Sequence, residues 1–167
     1  MKPLKAYTRT GIVFVIITGS IAHFLYDWSD HALIVGLFTP VNESIWEHMK
    51  LLFFPMLLYA FPFLFRFKNR YPGIPSALCA GILSGTFLIP LFFYSYMFIL
   101  GKDFFVLDIS TFVLSILIAF WISYRLALSG RLIRYTRLLY CLVGVLFALF
   151  VLFTFYPPAL KIFEDPA

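Results

Sequence analysis

Five stretches of this chain are each long and apolar enough to cross a bilayer, and that repetition constrains the fold more than any other feature. A helix needs about 20 apolar residues to span the hydrocarbon core, and such runs fall near 10–28, 43–65, 76–99, 104–124 and 138–156. The breaks between them carry the turn-forming and charged residues expected of exits from lipid: WSDH, FKNRYPGIPS, GKD, SGRLIRYTR and YPP. The expected fold class is all-α, a single domain over 1–167 built as a polytopic bundle of five transmembrane helices. Residues 31–38 (HALIVGLF) are too short to span and are expected to lie along the interface or re-enter. Thr39 is expected to N-cap the second long helix, with Pro40 in its first turn.

Composition fixes the solvent. With 62% hydrophobic and 13% charged residues, too few polar side chains exist to coat a water-soluble globule of this length. The net charge of +5 does not imply nucleic acid, because no basic helix, zinc-finger spacing or aromatic RNA-binding pattern accompanies it. Cys79 and Cys141 lie near the basic ends of two spans and read as small apolar residues without a disulfide. A rival reading of the N-terminus is a cleavable signal: Lys2 and Lys5 form a basic start, GIVFVIIT an apolar stretch, and Ser20-Ile-Ala22 a small-residue site. No repeat, low-complexity segment or soluble domain is evident.

Charge then orients the bundle. Ten of the thirteen Lys and Arg residues flank the start of span one, the junction of spans two and three, and the junction of spans four and five. Cytoplasmic loops of membrane proteins carry such an excess, so the N-terminus is expected inside, the C-terminus outside, and the location is a cytoplasmic cell membrane. The eight acidic residues and the three histidines all fall toward the opposite, outer side.

Depth separates functional candidates from loop charges. At ~1.5 Å per residue, His23 lies roughly 8 Å inside the outer end of span one, and Glu47 and His48 a similar distance into span two. Asp27 follows His23 by four residues and Glu47 follows Glu43 by four, so each pair shares a helical face. Asp108 sits about one turn into span four, heading the stripe Asp108, Thr111, Ser115. A buried charge in a bilayer costs about 2.5–3.5 kcal/mol at the centre and less toward the interface, so such groups face one another rather than lipid. One polar pocket between spans one, two and four follows, opening outward. Its metal-ligand candidates are His23, Glu43, Glu47 and His48, with Glu47 and His48 in the catalytic roles. Asp27, Asn42, Trp46, Asp108, Tyr94 and Tyr96 are the further pocket candidates. Trp28 and Trp46 also have a simpler reading as interface anchors.

Three functions fit these groups. Imidazole and carboxylate ligands suit a divalent metal, Zn, Mn or Fe, and three such ligands with an open position make a hydrolytic centre acting on membrane lipid or a lipid-linked substrate. The same groups serve a proton- or cation-coupled transporter or sensor. Five spans without a repeat fit that plan poorly, although a homodimer would supply the missing symmetry. A structural or assembly protein whose polar cluster fixes helix packing is the third reading. The combination HFLYDWS, FTPVNESIWEHMKLLFFPMLLY and FTFYPP…FEDP, with PVNESxWEHxKLLFFP as its motif, resembles domain-of-unknown-function family 6512, small bacterial multi-pass membrane proteins. The resemblance covers nearly the whole chain, implies the membrane topology, and carries no activity.

Overall fold

Hydrogen bonding continues past the edge of each apolar run, so the helices are mostly longer than those runs. The computed structural model describes residues 2–165. Its long helices are α1 (Lys2–Trp28), α3 (Ile45–Phe67), α4 (Ile74–Leu100), α5 (Phe105–Ser129) and α6 (Thr136–Phe155), with a short α2 (Leu33–Gly36) between the first two. A 3-10 turn, Ile133–Tyr135, leads into α6 and another, Lys161–Phe163, follows it. Five helices are long and apolar enough to cross a membrane, and the described residues contain no strand. Two ends are set by glycines in the left-handed region, Gly101 after α4 (φ 71°) and Gly130 after α5 (φ 63°), a conformation that costs other residues more.

Packing is closest where side chains are smallest. Helix α4 presents Gly81 and Gly85, one turn apart, to α5: a Cβ at Gly81 would meet the Ala119 carbonyl oxygen at 2.6 Å, and one at Gly85 the Ala119 Cβ at 2.6 Å. This small-x-x-x-small spacing lets backbones approach without a hydrophobic driving force, which lipid removes. Gly19 does the same for α1 against α3, where a Cβ would lie 2.4 Å from the backbone oxygen of Leu51. Aromatic rings close the basic end, with Tyr7 of α1 packed edge-on against Phe63 and Phe67 of α3. The start of α1 and the end of α3 therefore share one end of the bundle. The acidic residues and histidines gather at the other.

The segment between α1 and α3 departs from the expected layout. Asp30 and His31 take positive φ (55° and 59°) and turn the chain into α2. Helix α3 begins at Ile45, and its N-cap is Ser44, whose Oγ accepts the Glu47 amide at 3.4 Å. Thr39 and Pro40 are not the cap. The Thr39 hydroxyl donates instead to the Val35 carbonyl at 2.9 Å, and the Val41 amide is engaged by the Glu47 carboxylate at 3.0 Å, which holds residues 39–44 outside the helix.

Candidate metal centre

Three side chains from two helices and the intervening loop converge on one point. Glu43 Oε2 lies 3.4 Å from His48 Nε2 and 3.7 Å from His23 Nε2, and one ligand atom from each residue fits within a span of 4.8 Å. His23 comes from α1, one turn beyond Gly19, so the close approach permitted by that glycine brings it to α3. His48 stands on the first turns of α3. Glu43 precedes the Ser44 cap. The imidazoles meet edge to face, with centroids 5.1 Å apart and planes at 87°.

The tautomer of His48 follows from its other nitrogen. Nδ1 lies 2.9 Å from the Ser44 carbonyl oxygen, which only accepts, so Nδ1 carries the proton and donates. In the neutral imidazole that assignment turns the Nε2 lone pair toward the Glu43 carboxylate. A lone pair facing an anion is repulsive until a cation lies between them, and a backbone carbonyl fixing the far nitrogen is the usual second partner of a metal-ligating histidine. Metal–ligand bonds of about 2.0–2.2 Å in tetrahedral array place donor atoms about 3.4 Å apart. The two distances from Glu43 lie at and just above that value, within a cluster whose ligand atoms span up to 4.8 Å.

The cluster opens into a cavity of about 680 Å³ between α1, α3, α4 and α5. Its polar lining includes His23, Glu43, His48, Asp103, Asp108 and Thr111, and the remainder is chiefly apolar: Phe24, Leu51, Ile89, Phe93, Phe105 and Phe112 among others. No Lys or Arg lines it. Asp108 accepts a hydrogen bond from the Tyr96 hydroxyl, which holds that carboxylate in the cavity lining. The expected walls are the first, second and fourth spans; α4 is a further one.

Glu47 is not part of this group. It is buried, 2% exposed as a residue, and its carboxylate turns to the other side of α3, where Oε2 accepts from Lys50 Nζ at 2.5 Å and from the Val41 amide. Glu47 and His48 are adjacent on a helix and so point about 100° apart; the structure assigns the cavity to His48 alone. Other candidates are also elsewhere. Asp27 pairs with His31 at 3.5 Å on an exposed face, and Asn42 uses its Oδ1 to accept the Ser44 amide at 3.1 Å. Trp46 is buried against Phe150, Phe153 and Phe163, so it is a core residue and no interface anchor. Tyr94 is exposed, and neither it nor Tyr96 lines the cavity. The sequence pattern gives Lys50 no role and makes Asp103 a loop charge; the first has four oxygen partners and the second faces the cavity. Ser44, three residues before Glu47, is the available signal for the correct cap.

A family model described as a family of unknown function, DUF6512, matches residues 1–167. The chain belongs to that family. No curated protein and no solved structure matches it. For this member of DUF6512, function is to be read from the geometry of its own side chains.

Proposed function

We propose that this DUF6512 protein is a membrane-embedded metal centre that acts hydrolytically on a lipid or lipid-linked substrate. The observation that carries the reading is the convergence of His23, Glu43 and His48, with the His48 proton held on Nδ1 so that Nε2 faces the carboxylate. Two neutral imidazoles and one carboxylate form a ligand set suited to Zn, with Mn and Fe as the alternatives. When bound, the ion supplies Lewis acidity and an acidified water. Asp108, held by Tyr96 and lining the same cavity, would serve as general base toward a water bound there. The bond such a centre would break is the carbonyl or phosphoryl ester bond of the substrate, with Asp108 placed to return a proton to the leaving oxygen. The aromatic and aliphatic lining accommodates the apolar chain of the substrate, and the membrane delivers it laterally.

Orientation is part of the proposal. The basic segments at the opposite end of the bundle favour a cytoplasmic N-terminus, which puts the cavity in the outer half of a cell membrane. A cysteine introduced at Lys102 is expected to react with an impermeant reagent applied from outside, and one at Lys68 to be spared; the reverse pattern refutes that orientation. For the centre itself, protein purified without chelator or affinity metal is expected to carry about one divalent ion per chain by elemental analysis. His23→Ala, Glu43→Gln and His48→Ala are each expected to purify without it, their affinity for added metal lowered but still measurable. A parent protein that stays metal-free after equilibration with Zn, Mn and Fe overturns the reading.

A further inference from the structure

The one ligand of this centre that does not stand on a helix is Glu43, and something must hold it. On the far side of α3, the Lys50 ammonium is fully buried. Its Nζ reaches the Gly36 carbonyl at 3.1 Å, the Thr39 carbonyl at 3.5 Å, Glu47 Oε2 at 2.5 Å and the Thr154 hydroxyl at 2.6 Å. Glu47 Oε2 also accepts the Val41 amide at 3.0 Å. One ion pair thus grips the backbone at residues 36, 39 and 41, the last only two positions before Glu43, and ties it through Thr154 to α6.

We infer that the Glu47–Lys50 pair is the positioning unit of the proposed metal centre: it fixes residues 36–44 so that the Glu43 carboxylate stands between His23 and His48. The inference rests on the metal reading above. Stability alone gives little reason for such a pair, since an apolar pair of similar volume is commonly as stable. What an apolar pair lacks is the ability to hold two carbonyls and an amide of an irregular segment at set places. Neither Glu47 nor Lys50 touches the ion; both act through Glu43, whereas His23 and His48 are carried by their own helices.

The test uses the full chain in detergent with Co²⁺ as probe, reading affinity and the visible absorption band that reports its ligands. The double variant Glu47→Leu/Lys50→Met removes both charges together and leaves neither one stranded. It is expected to lower Co²⁺ affinity on the order of 10–100-fold, as loss of an outer partner does, and to shift the band as Glu43→Gln does. Added to Glu43→Gln, it is expected to cost nothing further; added to His23→Ala, it is expected to weaken binding again. Co²⁺ affinity within about twofold of the parent, a difference too small for loss of an outer partner, or losses that simply add to that of Glu43→Gln, overturns the inference. If the double variant does not fold, Glu47→Gln is judged by the same non-additivity: no further loss beyond Glu43→Gln supports the inference, and additive loss overturns it. A parent that binds no Co²⁺ overturns the metal reading and this inference together; a parent that binds it beside variants that bind equally well overturns this inference alone.

Discussion

Two polar clusters meet on α3, and they are built on opposite principles. The Glu47–Lys50 cluster is sealed: both residues are buried, opposite charges touch, and backbone and hydroxyl oxygens take up the ammonium hydrogens. The His23–Glu43–His48 cluster is open, with the Glu43 side chain 65% exposed and all three residues at a cavity wall. A closed cluster is complete without any ligand. The open one sets two ring nitrogens against one carboxylate, an arrangement that a shared cation completes. The difference teaches that charge inside a helical bundle is not by itself a mark of chemistry; its unfinished coordination is.

The largest effect is expected from breaking the closed cluster on one side. Lys50→Ala strands the Glu47 carboxylate, and removing one partner of a buried pair costs about 3–5 kcal/mol. Denaturation in mixed micelles is expected to show that loss, whereas Glu47→Leu/Lys50→Met is expected to stay close to the parent. Equal damage from both changes would mean that the ion pair is not balanced as described.

Next in size is the contact that brings the open cluster together. Gly19→Val places new carbons against the Leu51 carbonyl oxygen, a backbone atom that cannot swing away. Overpacking of this kind costs about 1–3 kcal/mol, and the displacement of α1 is expected to abolish metal uptake by carrying His23 from Glu43. Retained uptake in a stably folded Gly19→Val protein would show that His23 is dispensable.

The open cluster itself is expected to matter least to stability. His48→Ala removes a partly buried side chain and is expected to cost under about 1 kcal/mol, near the range of most surface changes, while metal content falls to background. Protons compete for the same lone pairs, so bound metal is expected to decrease as pH falls and to return as pH rises, because ligation requires neutral imidazole. Stability of the metal-free protein is not expected to track that curve. A parallel fall in both would erase the distinction between the sealed and the open cluster. The smallest effect on the centre is expected from Tyr96→Phe, which removes one hydrogen bond to Asp108 and leaves metal content unchanged.

The sequence by itself determined five long helices, because about 20 apolar residues in succession admit almost no other structure in lipid. It also determined that Glu47 and His48 lie at one level with His23, since depth along a helix is a matter of counting residues. It did not determine which carboxylate joins the histidines. Glu43 and Glu47 are equivalent by residue type and by their i,i+4 spacing, and that equivalence holds only for a helix starting near Thr39. The tertiary structure, with the helix beginning at Ile45, removes Glu43 from the helical face and sends Glu47 to Lys50. That choice depends on Gly36, Thr39, Val41 and Thr154 offering partners to a buried pair. Those partners include a hydroxyl more than 100 positions along the chain, which no local pattern can reveal. A buried charge goes where its hydrogen bonds can be completed, and the packed fold alone decides where that is.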